Sequence, residues 1–99
     1  MAFTRSDNGD ETTLFLAGQL DGTSVKDFEA LADALVAEGR HQVVLDMSGL
    51  TTIESPGVAA VVGLYKRTRE RGGDVRIVGI QGQPQAIFKL LRFDKVFDL

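Results

Sequence analysis

A chain of 99 residues has room for one hydrophobic core, and 43% hydrophobic with 25% charged residues fits a folded, water-soluble domain, not a disordered or membrane-embedded chain. Without cysteine there is no disulfide framework and no thiolate metal site, so packing must carry the stability. A net charge of −3, with acids and bases interspersed, argues against a nucleic-acid footprint or an anionic-membrane patch and leaves proteins or small molecules as partners.

No apolar run approaches the roughly 18 residues of a spanning helix. The leading Met1-Ala2-Phe3-Thr4-Arg5-Ser6-Asp7 lacks the apolar stretch of a secretory signal. A single domain over residues 1–99, cytoplasmic and not inserted in a membrane, is therefore expected. Residues 3–6 read as a first strand and residues 12–17 as a second. Asn8-Gly9 between them supplies the positive φ values of a tight hairpin, which makes the two strands antiparallel neighbours.

Over residues 24–38 the apolar Val25, Phe28, Leu31, Ala32, Leu35 and Val36 recur at helical spacing. Ser24 reads as the N-cap, Asp27 lies in the first turn, and Gly39 stands where a helix ends in the left-handed conformation. Val43-Val44-Leu45-Asp46-Met47 is too short for a helix and reads as a strand buried on both faces, central in its sheet. A second helix begins at Ser55-Pro56-Gly57 and runs to about Arg71, with Val58, Val61, Val62 and Tyr65 on one face and Gly72-Gly73 as its stop. Residues 74–80 form a fourth strand. Pro84 opens a third helix carrying Ile87, Phe88, Leu90 and Leu91, and Phe93, Val96 and Phe97 pack as a tail. The order β-β-α-β-α-β-α predicts an α/β fold: a small four-stranded mixed sheet, an N-terminal hairpin strand plus parallel strands, covered by helices.

Sites in open α/β sheets lie beyond the carboxyl ends of the parallel strands. Here that rim comprises residues 19–23, 48–55 and 81–83. Its densest part is Leu50-Thr51-Thr52-Ile53-Glu54-Ser55-Pro56-Gly57. Ser55 suits the N-cap of the second helix, with Pro56 at the first helical position, so two readings stand side by side: a plain cap, or a modifiable hydroxyl.

Enzymatic readings find little footing. The one histidine, His41, falls between a helix end and a strand start, at the opposite rim from Ser55, which leaves no Ser-His couple. Asp21, Asp46 and Glu54 match no spacing signature for a hard cation, and no G-x-x-x-x-G-K-[ST] or G-x-G-x-x-G cradle occurs. The run Lys66-Arg67-Thr68-Arg69-Glu70-Arg71 reads as a solvated helix C-terminus, where the macrodipole favours cations. No catalytic residue, metal or cofactor is expected.

Four pieces in order carry a resemblance: Gly18-Gln19-Leu20-Asp21; Val43-Val44-Leu45-Asp46-Met47-Ser48-Gly49-Leu50; Ile53-Glu54-Ser55-Pro56-Gly57 with Leu64-Tyr65-Lys66-Arg67; and Gly72-Gly73 before Val75-Arg76-Ile77-Val78-Gly79. Together they resemble the sulphate transporter and anti-sigma-factor antagonist (STAS) domains, of the free-standing antagonist type, over nearly the whole chain. The resemblance implies a partner switch. The unmodified module binds an anti-sigma-factor serine kinase of the histidine-kinase-like ATPase fold, is phosphorylated by it at Ser55, and is reset by a PP2C-type phosphatase. It departs from the family pattern at Glu54, which stands for aspartate, and at Pro56, which stands for a second hydroxyl residue. The partner-binding surface expected from the rim and the resemblance is Asp21, Gly22, Thr23 and Ser24 with Glu54, Ser55, Pro56, Gly57 and Val58, together with the exposed side of the second helix. The alternative is an unphosphorylated accessory or scaffold subunit, for example of an ABC transporter, in which Ser55 only caps.

Overall fold

In the computed structural model, which describes residues 3–99, β1 (Phe3–Asn8) and β2 (Glu11–Leu20) pair antiparallel, from Phe3 opposite Leu16 to Asn8 opposite Glu11. Met1 and Ala2, the start of the stretch read for a signal, lie outside those residues. The hairpin loop is therefore Gly9-Asp10 instead of Asn8-Gly9, and Gly9 alone supplies the positive φ, 61°.

β2 pairs parallel with β3 (Gln42–Ile53) and β3 parallel with β4 (Asp74–Val78), giving the sheet order β1-β2-β3-β4. This is the expected mixed sheet with residues 43–47 in its interior. β3 continues past Met47 to Ile53, although Ser48 and Gly49 read as loop. They stay in the ladder because β2 shifts register around Ala17 and Gly18, and because Gly49 lets the strands close up: a Cβ there would lie 3.1 Å from that of Ala17. β4 ends at Val78, short of the expected Ile80, because Gly79 turns away at φ 70°.

The core lies on one face of the sheet. Leu14, Leu16, Leu20, Val43, Leu45, Met47, Ile53, Val75 and Ile77 enter it, whereas on the other face Phe15 and Val78 are exposed and Asp46 is half-buried. The expectation of a strand buried on both faces thus holds at Val44, which is buried on this second face, and not at Asp46. β3 is central, but one layer of helices covers one side, as two-layer packing allows.

That layer is built from α1 (Val25–Ala37), α2 (Ser55–Glu70), α3 (Gly82–Leu90) and the short α4 (Phe93–Val96). α1 and α2 end alike. Arg40 N–H donates to Leu35 O and Gly39 N–H to Val36 O, while Gly73 N–H donates to Thr68 O and Gly72 N–H to Arg69 O, each a Schellman pair around a left-handed glycine. The buried row of α2 is Gly57, Val58, Val61, Leu64 and Thr68. Val62 and Tyr65, expected on that face, sit at its margin. α3 opens at Gly82, two residues before the expected Pro84, because the first turn of a helix tolerates a residue without an N–H. In the tail Phe97 is buried, with its ring 5.0 Å from Tyr65 and 5.8 Å from Phe88, but Val96 is exposed rather than packed.

An ionic clasp ties the hairpin to the end of α1. Arg5 on β1 lies 2.7 Å from Glu38 Oε1 and 3.0 Å from Asp7 Oδ1. The Arg5 guanidinium holds both carboxyls below their ordinary values, with the Thr12 hydroxyl adding to the effect at Asp7. A carboxylate whose pKa is lower folded than unfolded contributes stability that is fully present above the unfolded value, about 4, and is lost as pH falls through the folded value. The gap in Tm between the wild type and Arg5→Met should therefore be widest near neutral pH and close as pH is lowered towards about 3. A gap independent of pH in paired thermal melts would show that the clasp does not couple to folding.

Candidate functional site

β2 and β3 finish together, which brings the predicted site residues onto one rim. Leu20 pairs with Ile53, and the N–H of Glu54 donates to the Leu20 carbonyl at 3.0 Å, so the chain leaves β2 at Asp21 beside the point where it enters α2 at Ser55. The third rim segment joins through two glutamines. The Gln83 side chain accepts from Ile53 N–H at 2.8 Å and donates to Ile53 O at 2.9 Å, and Gln81 Nε2 donates to Ser48 O at 3.0 Å. Gln83 thus satisfies both backbone groups of Ile53 beyond the end of β4, a role for which the sequence offers no local signal.

The turn before α1 is organised by Asp21. Its Oδ1 accepts from the Thr23 hydroxyl at 2.7 Å and from the backbone N–H groups of Thr23 at 2.9 Å and Ser24 at 3.0 Å. These bonds, the Thr23 hydroxyl first, hold the Asp21 carboxyl below its ordinary value and keep it charged. Ser24 occupies the N-cap position of α1 as expected, but its hydroxyl turns backward. It donates to Gln19 O at 2.7 Å and accepts from Asp21 N–H at 3.0 Å, leaving no side-chain cap bond to the helix.

α2 starts at Ser55 as expected, but the cap position falls one residue earlier than the reading of Ser55 as N-cap. Glu54 is the N-cap residue, in extended backbone, Ser55 is the first helical residue and Pro56 the second. No side-chain cap bond is made there, and the Ser55 hydroxyl is exposed with no hydrogen-bond partner among the described residues. Glu54 and Pro56 are exposed with it, whereas Gly57 and Val58 face inward. Gly57 marks the closest approach of helix to sheet. A Cβ there would stand 2.7 Å from both Leu20 Cγ and Leu20 O, and 3.0 Å from Ile53 Cγ1.

From this end a groove of about 830 Å³ runs between α2 and α3, past Ala59 and Val62 to Lys66, with Ile87, Leu90 and Leu91 as its other wall. Sequence reasoning reached its α2 side but missed the wall that α3 supplies. The signal was Leu90-Leu91 at the end of a short helix, since two adjacent leucines there cannot both reach the core. The remaining candidates do not converge. His41 precedes β3, at the far end of the strand from Ser55, and the Asp46 carboxylate is occupied by Ser48, whose N–H and hydroxyl lie at 3.0 and 2.7 Å. Among the described residues no group of three or more His, Asp or Glu could hold a metal ion, and no helix is long and apolar enough to cross a membrane.

Comparison with known proteins places this geometry. The family model for the STAS domain matches residues 4–99. An antisigma-factor antagonist STAS domain from Rhodobacter sphaeroides is 33% identical, with a TM-score of 0.64 over 78% of this chain and 84% of that one. The anti-sigma factor antagonist SpoIIAA, in its unphosphorylated form, shares the fold at 18% identity, with a TM-score of 0.76 over 96% of this chain and 97% of that one. Its phosphorylated form, described as a Bacillus cell fate determinant, gives 0.78 at 18% identity over 91% and 83%. BtrV of Bordetella bronchiseptica, named as a candidate anti-sigma factor antagonist, is 27% identical over 82 residues, 83% of this chain and 71% of its own.

The close approach at Gly57 can be measured against a second glycine of the same helix. Gly57→Ala forces a methyl group into backbone and should cost about 1–3 kcal/mol. Gly63→Ala, with nothing within 4 Å, should instead stabilise by about 0.5–1 kcal/mol through helix propensity. Urea denaturation of both variants checks this; equal shifts would mean that α2 does not depend on contact at Leu20.

Proposed function

The chain belongs to the STAS domain family, and from that premise we propose that it is an anti-sigma-factor antagonist, controlled by reversible phosphorylation of Ser55. Its partner in this reading is an anti-sigma-factor serine kinase of the histidine-kinase-like ATPase fold, bound through the rim that carries Ser55. A PP2C-type phosphatase resets the phosphorylated form. The carrying observation is the state of the Ser55 hydroxyl, which is exposed at the first residue of α2 and free of any capping bond. A serine that served only as a cap would be expected to use that oxygen on a backbone N–H.

The chemistry needs nothing from this chain beyond a presented hydroxyl. Ser55 Oγ attacks the γ-phosphorus of ATP held by the kinase. The new O–P bond replaces the bond to the β-phosphate oxygen, ADP leaves, and the hydroxyl proton passes to a base of the kinase. In the reset, water attacks the phosphoserine and inorganic phosphate departs, returning the hydroxyl. Neither step involves a metal or cofactor bound by this chain.

A phosphate at this position adds roughly 1.5 to 2 negative charges. At the first turn of α2 the helix macrodipole offsets them, and Glu54 next in sequence opposes them. The fold is thus expected to tolerate the group. A close-fitting partner is not, because bulk, desolvation and like charge act together at the contact. Exposed side chains for such contact are Thr23, Glu54, Ser55 and Pro56, with the Gly22 backbone and the half-buried Asp21 and Ser24 beside them. Gly57 and Val58 contribute by seating the helix.

Two measurements on the same variants test the switch. Because no cap bond is lost, Ser55→Ala should change stability by less than about 0.5 kcal/mol, retain kinase binding and abolish phosphate incorporation. Ser55→Asp should gain about 0.3–1 kcal/mol from the helix dipole yet bind the kinase at least about tenfold more weakly. Thermal melts, calorimetric titration with the cognate kinase, and intact mass after incubation with kinase and ATP provide the readouts. Equal affinity of wild type and Ser55→Asp, with no added mass, would leave the accessory-subunit reading instead.

A further inference from the structure

We propose that the groove between α2 and α3 is a docking site for one amphipathic α-helix of a partner protein, carrying an acidic residue for Lys66 and a basic residue for Glu54. The groove shares Glu54, Ser55, Pro56 and Val58 with the rim proposed for the kinase and continues from it past Val62 to Leu91, and its occupation requires no modification of Ser55.

Apolar surface comes first. Leu90 is 76% and Leu91 47% exposed, so neither is needed by the core, and both line the groove together with Val62 and Ile87. Single exposed leucines are ordinary, but adjacent ones in a trough mark an interaction surface. A trough between two helices is the shape into which a third helix lays its apolar face. A small ligand is the poorer fit, because pockets for such ligands enclose most of the molecule and this trough leaves its leucines in solvent.

Charge then selects the occupant. In the basic run of α2, Arg67 pairs with Asp33 at 2.8 Å, Arg69 lies 3.6 Å from Asp74 and 5.9 Å from the centre of the Tyr65 ring, and Arg71 donates to Val36 O at 3.1 Å. Lys66 alone among the cations of that run has no partner among the described residues, and it lies on the groove. Glu54, at the other end of the groove, likewise has no side-chain partner among the described residues. The two are about 18 Å apart along the helix axis, which a partner helix of the same rise spans with two charges about three turns apart. A hydrophobic strip with one unsatisfied charge of each sign at its ends complements a helix with the opposite pair.

The probe is a designed helical peptide of about five turns, with leucines at i, i+3, i+4 and i+7 and with Glu and Lys about three turns apart, titrated by fluorescence anisotropy against the full chain. Leu90→Asp, at an exposed position, should leave the melt unchanged and weaken binding at least about tenfold. Lys66→Glu and Glu54→Lys should each weaken it about two- to fivefold, and the double swap should restore it because the peptide then docks in the reverse direction. Failure of the peptide to bind the wild type would overturn the proposal, as would binding indifferent to Leu90→Asp or to the charge swaps. A dimer in sedimentation that Leu90→Asp dissolves would also overturn it, assigning the groove to a second copy of the chain.

Discussion

Between Ile53 and Gly57 the chain leaves a buried parallel strand and begins a helix within a few residues, and both sides of that joint are fixed by backbone contacts. Glu54 N–H donates to Leu20 O, and the Gln83 amide satisfies the N–H and C=O of Ile53, so β3 ends with its last polar groups paired. Gly57 then allows α2 to rest directly on Leu20 and Ile53, with no space for a Cβ. Three segments far apart in sequence thereby meet at one point. The turn at Asp21, the start of α2 and the start of α3 cannot move independently, and the rim they form inherits the rigidity of the sheet.

The two helix starts on this rim solve the same problem differently. α1 is preceded by a charged, saturated turn in which the Asp21 carboxylate holds Thr23 and Ser24, and Val25 N–H bonds to Asp21 O. α2 relies on packing and on Pro56, whose missing N–H is one fewer orphan donor in the first turn. Because close contact seats α2, the hydroxyl of Ser55 is not spent on the helix. That division is what makes the proposed switch physically coherent: a group can be added to Ser55 without removing anything that holds the fold, while the surface offered to a partner changes in charge and shape.

Most of the architecture was legible because its signals are periodic or depend on single glycines. The apolar spacing of α1, the run at residues 43–47, and the stops at Gly39 and Gly72 all correspond to observed features. What escaped depended on partners distant in sequence. β3 outruns its apolar core because Gly49 and the register shifts of β2 keep polar residues in the ladder, a fact of two strands together. Ser24 and Ser55 both satisfy the composition rule for N-caps, yet Ser24 bonds backward and Ser55 lies one residue inside the helix. Residue type allowed the cap, and tertiary context decided against it. Gln83 illustrates the limit most directly, since its side chain acts as the missing neighbour strand for Ile53 and nothing around it in sequence predicts that.

A helix layer on only one face of the sheet has a further consequence for α2. One stripe, from Gly57 to Thr68, is committed to the core, and the cations Arg67, Arg69 and Arg71 are committed to Asp33, Asp74 and the end of α1. What is left uncommitted is the N-terminal turn and the side that faces α3. The free hydroxyl of Ser55 and the unpaired charges of Glu54 and Lys66 all fall on those parts. α3 contributes Leu90 and Leu91 to the same surface, because the short helix uses Pro84 and Phe88 for its hold on the core and has no second layer to cover its remaining side. Groups not used for folding thus accumulate along one continuous strip, from the rim down the groove. Substitutions there should alter recognition more than stability, because the contacts that define the fold lie on the opposite side of the same helix.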